Sequence, residues 1–207
     1  MRARDIMSSP VTLAREGTPV KAAAALLADN GFTALPVVDD AGELIGIVTE
    51  ADLVRDRVPR DPRSLCHPGG GETEVRPVTT TVGEVMTTPV TAMGPGTDVA
   101  VLAKALLDAG QRSMPIVDGS RVIGIVTRRD SVRVIARDDA TTADDVRHRL
   151  EIYGGDRRWH VDVHDGIVAI GDEFDDETDR HVARVLAESV PGVVRATAFA
   201  AHEEDDR

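Results

Sequence analysis

Aromatic residues are scarce in this chain, at 2% of 207 positions. A hydrophobic share of 42% must therefore build its core from Val, Ile, Leu and Ala. That points to closely packed layers of helix and sheet rather than an aromatic-rich sandwich. Cysteine is nearly absent too. The single thiol, Cys66, excludes an intrachain disulfide framework. No window approaches the roughly 20 apolar residues of a membrane-spanning helix. The start, MRARDIMSSPVTLAREGTPV, has no apolar run of signal-peptide length. These features read as a cytoplasmic protein without a transmembrane segment. Positive charge is outnumbered, giving a formal net charge of −12. A surface of that sign repels nucleic acid, and no Lys/Arg stripe with interleaved aromatics overrides it.

What the chain does have is repetition. DIMSSPVTLAREGTPV at 5–20 is echoed by EVMTTPVTAMGPGTDV at 84–99. LPVVDDAGELIGIVTEAD at 35–52 is echoed by MPIVDGSRVIGIVTRRD at 114–130. Met7 aligns with Met86 at an offset of 79, and Gly46 with Gly124 at 78. One residue has been lost in a turn, where length changes cost little.

Each copy predicts strand, helix, strand, strand, helix. In copy one, Thr18 is expected as N-cap, with Pro19 at the first helical position. Val20, Ala23, Ala24 and Leu27 then share one face, and Gly31 stops the helix. The counterparts are Thr97, Val99, Leu102, Ala103, Leu106 and Gly110. Strands follow at 35–38 and 44–48, and at 114–117 and 122–126. The last helices open at Thr49 and Thr127. Neither copy could bury both faces of so small a sheet; two stacked copies could. Between them, 56–82 carries four prolines and the run Gly69-Gly70-Gly71, and reads as a connecting loop.

Beyond Asp138 the pattern changes to helix, strand, strand, helix, strand. A short helix is expected over 143–152. A hairpin is expected over 159–172, turning at Asp165-Gly166. A helix over 178–190 would bury Val182, Val185, Leu186 and Val190, and 193–200 would be a last strand. The charged tail HEEDDR, 202–207, reads as disordered.

The Thr-x-x-Asp junctions at 49–52 and 127–130 carry the candidate chemistry. A helix N-terminus presents unpaired N–H groups and partial positive charge, a ready anion site. Asp three residues on shares a face with the Thr. A carboxylate repels phosphate but accepts hydrogen bonds from a ribose diol, so the pair suits ribose plus phosphate. The same pattern is also a capping box, and the two roles are compatible. Between Thr and Asp, copy one has Glu50-Ala51 and copy two Arg128-Arg129, with Arg112 upstream. Two arginines in a first turn oppose the helix dipole, unless a polyphosphate neutralises them. The Thr127/Asp130 junction is therefore expected to bind a phosphate-bearing ligand more tightly; the alternative is a solvated arginine pair.

The repeat resembles tandem CBS domains, the Bateman module. The carriers are the Met-x-x-Pro-Val-Thr starts at 7–12 and 86–91, the Leu35-Pro36-Val37-Val38-Asp39 and Met114-Pro115-Ile116-Val117-Asp118 strands, and the two Gly-Ile-Val-Thr-x-x-Asp junctions. The fold class this implies is α+β or α/β: two stacked β-α-β-β-α repeats, then a small α-β-β-α-β domain. The boundaries expected are 1–58 for the first CBS domain, 59–80 for the linker and 81–138 for the second. The resemblance implies a homodimer built on the CBS pairs. It also implies clefts for adenosine-containing ligands such as AMP, ADP or ATP, with the adenine nucleotide as regulatory ligand and no cofactor required. It assigns Thr49 and Asp52, and Thr127 and Asp130, to ribose and phosphate. Base contacts fall to Val11, Thr12, Thr33, Ala34 and Pro36, and to Val90, Thr91, Ser113, Met114 and Pro115. Arg128 and Arg129 complete the set.

Residues 142–201 resemble a BON domain, which follows CBS pairs in some bacterial proteins. The carriers are Val161-Asp162-Val163, Asp165 to Gly171 and Val190-Pro191-Gly192-Val193. That resemblance implies a lipid or macromolecular partner. No nucleophile with base and orienter, P-loop or GxGxxG is present, so the chain does not read as an enzyme. His160 and His164, with Asp162 between them, lie on one strand face about 13 Å apart, too far to share an ion. Cys66-His67 supplies only two metal ligands. The other functional class open to the sequence is a constitutive scaffold whose junctions only cap helices.

Overall fold

The computed structural model describes residues 1–55, 57–58, 79–174 and 176–201. The expectations for Cys66, His67, Gly69 to Gly71 and the tail lie outside these residues. The chain divides into two compact units, one of residues 7–95 and 104–126, the other of 1–6, 96–103 and 127–207.

Copy one comprises β1 (Ala14–Arg15), α1 (Val20–Asn30), β2 (Ala34–Val38), β3 (Leu44–Thr49) and α2 (Glu50–Val54). β1 pairs parallel with β2, and β2 antiparallel with β3. Val20, Ala23 and Leu27 face the core with Leu35, Val37 and Val48. Gly31 ends α1 at φ 64°, the left-handed region that favours glycine. Copy two comprises α3 (Val99–Asp108), β4 (Ser113–Asp118), β5 (Arg121–Thr127) and α4 (Arg128–Ile135). Its expected first strand shrinks to one bridge, Met93 with Ile116.

The helix starts differ from expectation by one residue. Thr18 does not cap α1; its hydroxyl accepts the Arg15 N–H at 2.9 Å. Pro19 is the N-cap, and its ring leaves no side-chain acceptor. In copy two Asp98, not Thr97, caps α3 by accepting the Ala100 N–H at 2.7 Å.

The first N–H of each helix finds its partner far along the chain. Val20 N–H donates to the Thr80 carbonyl at 2.9 Å, and Val82 N–H to the Thr18 carbonyl at 2.8 Å. In the other unit, Val99 N–H donates to the Met1 carbonyl at 3.2 Å, and Ala3 N–H to that of Thr97 at 2.8 Å. Each copy's leading segment thus docks on the other copy's first helix. Val82, fully buried, joins the core of copy one. The methionines behave alike. Thr87 pairs with Ile47, and the Met86 thioether lies over Gly46; Ser8 pairs with Ile125, and Met7 lies over Gly124.

The last segment forms α5 (Asp139–Gly154), β6 (Trp159–His164), β7 (Ile167–Asp172), α6 (Glu177–Glu188) and β8 (Arg195–Ala200). α5 starts four residues earlier than 143 because Asp138 caps it, accepting the Thr141 N–H at 2.8 Å. β6 and β7 form the hairpin, Asp165 and Gly166 both at positive φ, and β8 adds parallel to β7. β8 begins at Arg195, two residues after 193, because Val193 and Val194 still belong to the turn: their N–H groups bond the Val190 and Gly166 carbonyls. α6 buries Ala183, Ala187 and, just past its end, Val190, with Leu186 partly buried, while Val185 is half exposed. The expected face was rotated toward the larger side chains; small alanines let the helix axis approach the sheet. A polar cluster closes this core. Buried Asp172 accepts two hydrogen bonds from Arg158, at 2.9 and 3.1 Å, and Arg158 also reaches Asp179 at 2.6 Å. The guanidinium lies over Trp159 and Phe174, and Tyr153 donates to Asp179 at 2.7 Å.

Candidate functional site

Both Thr-x-x-Asp junctions fold as reciprocal capping boxes. Asp52 Oδ2 accepts the Thr49 N–H at 3.0 Å and its hydroxyl at 2.7 Å. Asp130 Oδ2 accepts the equivalent pair from Thr127 at 2.8 and 2.7 Å. The return bonds, Asp N–H to Thr Oγ1, are 3.4 Å in both. Both aspartates are buried. Capping occupies one carboxylate oxygen and leaves Oδ1 facing an arginine one turn on. Arg133 reaches Asp130 Oδ1 at 3.3 Å, while Arg55 stands 3.9 Å from Asp52 Oδ1. Each junction therefore holds a fixed carboxylate whose second oxygen can accept from a hydroxyl.

Two of the expected residues, Thr33 and Ala34, stand beside the first junction. Ala34 lies opposite Thr49 in the β2–β3 ladder, and the Thr33 carbonyl accepts the Glu50 N–H at 3.3 Å. Thr33 Oγ1 and Ser113 Oγ, one from each copy, are 2.9 Å apart. Pro36, Met114 and Pro115 are buried in their strands, so they are available through backbone edges only. Met93 N–H already takes the Pro115 carbonyl at 3.1 Å. Val11, Thr12 and Val90 are partly buried, Thr91 is exposed, and Arg129 is more exposed than Arg128.

Arg112 is the departure. The sequence groups it with Arg128 and Arg129, yet its guanidinium stands 3.6 Å from the Glu50 carboxylate, at the first junction. Ser113 leads into β4 beside Thr33, and that pairing carries Arg112 across. Arginine is thus part of both junctions, opposed by a glutamate in one. His160 meets Glu173 at 2.5 Å, and among the described residues no cluster of three His, Cys, Asp or Glu side chains could hold a metal. No helix among them is long and apolar enough to cross a membrane.

A repeated α-β-β-α unit with capped Thr-x-x-Asp junctions, led in copy one by a short strand, defines a mixed α/β domain pair. The sequence model of the CBS domain matches residues 3–58 and 82–137, more than half of the chain. This chain belongs to the CBS domain family. It is 31% identical over 131 residues to an uncharacterized protein of Methanocaldococcus jannaschii, covering 63% of this chain and 31% of that one. The chain thus spans about a third of that relative's length. Among solved structures, it is similar to the CBS domain pair of protein MJ0100 in complex with 5′-methylthioadenosine and S-adenosyl-L-methionine (TM-score 0.52, 27% identity, 66% of this chain and 96% of that). It is also similar to CBSX2 in complex with AMP (TM-score 0.51, 29% identity, 64% and 93%).

Proposed function

We propose that this chain is a non-enzymatic sensor whose CBS pair binds an adenosine-containing ligand and passes the occupied state to a partner of its C-terminal domain. The observation that carries the reading is the pair of buried aspartates, each fixed by its own threonine and each with a second carboxylate oxygen left out of the cap. The similar domain pairs bound to AMP or to S-adenosyl-L-methionine support it. Thr49 and Asp52, with Thr33 and Ala34 beside them, form the first position. Thr127 and Asp130 form the second, where Arg128 and Arg129 take up phosphate. A homodimer of CBS pairs in the cytoplasm belongs to the same reading, as do the boundaries 1–58, 59–80 and 81–138. The α-β-β-α-β order of the C-terminal elements supports a BON-like domain at 142–201.

The two positions are unequal. Glu50 repels phosphate, and an exposed pair such as Glu50–Arg112 offsets that by no more than about 1 kcal/mol. Calorimetric titration with AMP, ATP and S-adenosylmethionine tests this. Asp130→Ala should abolish the tighter event for the phosphate-bearing ligands, and Asp52→Ala should spare it. Equal losses would show the positions equivalent. No heat and no thermal shift with any of the ligands would favour a constitutive scaffold, since a ligand bound only by the folded state raises the unfolding midpoint.

A further inference from the structure

The C-terminal domain carries a groove of about 680 Å³ between α6 and β8. One wall is a single helical stripe, in which Arg180, His181 and Arg184 lie between Glu177 and Glu188. The other is the open edge of β8. In the sheet order β6-β7-β8 this strand ends the sheet, with β7 as its only hydrogen-bonded strand among the described residues. Edge strands are usually blunted by Lys, Pro, a bulge or a covering element. β8 reads Arg-Ala-Thr-Ala-Phe-Ala and pairs with β7 through six residues in unbroken register. It contains no Lys and no Pro, and its register has no bulge.

One contact shows what the edge accepts. Ala196 N–H points away from β7 and donates to Glu188 Oε1 over a long 3.5 Å. A carboxylate of the chain itself has taken a position that a strand's carbonyl would otherwise fill. By strand alternation the Ala198 N–H lies on the same open side. Arg195 stands at the start of the strand, so cations flank the groove in a chain whose net charge is −12.

We propose that this groove docks an extended acidic segment of a partner protein as a fourth strand on β8. Main-chain bonds to the β8 edge supply the pairing, and Arg180, Arg184 and Arg195 select acidic side chains.

The test uses the full chain and a synthetic peptide of about seven alternating Val and Glu residues, followed by fluorescence anisotropy and amide chemical shifts. Binding should perturb β8 and α6 amides. It should weaken at least about tenfold when Lys replaces Glu in the peptide. Ala198→Pro removes an outward N–H without touching the β7 ladder and should weaken binding to a similar extent. Arg184→Glu, an exposed change that keeps the fold, should do the same, whereas Glu188→Ala should tighten binding. Absence of binding overturns the proposal. So does binding lost in Arg184→Glu but unchanged in a folded Ala198→Pro, which would mean a simple anion site. Anionic phosphatidylglycerol vesicles that bind and displace the peptide would make the groove a lipid surface instead. A concentration-dependent dimer abolished by Ala198→Pro would show that a second copy fills the edge.

Discussion

Gly124 and Gly46 show how much one missing side chain fixes. A Cβ on Gly124 would lie 2.5 Å from the Met7 sulfur, and one on Gly46 2.6 Å from that of Met86. The thioether needs the bare backbone in order to cross the strand. Gly124→Ala should destabilise the protein by about 1–3 kcal/mol through overpacking. Shortening the methionine in the same chain should recover part of that, so that Gly124→Ala and Met7→Ala couple in a double-mutant cycle of denaturant midpoints. Additive losses would mean that methionine and glycine act separately. Both glycines stand out in the sequence as repeat positions. Their reason does not, because it lies in a methionine more than a hundred residues away in one case. Arg112 teaches the same lesson: spacing places it near Arg128, and folding places it on Glu50.

At the scale of elements, α5 and α6 are tied by Tyr153 and Asp179, with Arg158 beneath. The Tyr153 hydroxyl, and then the Arg158 guanidinium, hold the Asp179 carboxyl below its ordinary value. Hydrogen bonds from Thr141 and Thr81 do the same for Asp138 and Glu84. A carboxyl lowered in the folded state stabilises the fold above its unfolded value near pH 4, and that stabilisation is lost as pH falls through the lowered value. Tyr153→Phe returns Asp179 toward its ordinary value, so acid unfolding of the C-terminal domain should begin at higher pH. Asp179 in turn raises the Tyr153 hydroxyl, so alkaline destabilisation sets in as pH passes above its usual value near 10 and should be absent from the Phe variant. Trp159, the only tryptophan, reports this domain by its fluorescence. An unchanged acid midpoint would remove Tyr153 from the account. Element order here was legible from alternation and the Asp165-Gly166 turn. The buried face of α6 was not, because hydropathy ranks Val185 above Ala183 while close packing on a sheet rewards the smaller side chain.

For the whole molecule, the organising feature is the exchange of leading segments. Periodicity identifies the repeats and their strands, but it is silent on which copy a short leading turn packs against. Val82 therefore reads as the start of copy two and folds as core of copy one. Val82→Ala should cost about 2 kcal/mol and should loosen copy one, seen as faster amide exchange in α1. A fragment of residues 1–58 should fail to fold cooperatively by circular dichroism and should recover when residues 79–95 are supplied in trans. Cooperative folding of the fragment alone would refute the interdependence.

The exchange also orders events during synthesis. The last helix of copy one ends at Val54, yet its core closes only with Val82. At roughly 5–20 residues per second the ribosome leaves that core open for about one and a half to six seconds. During that interval the first half of the chain is a client waiting for its own continuation, and a stall in the intervening codons would prolong the wait.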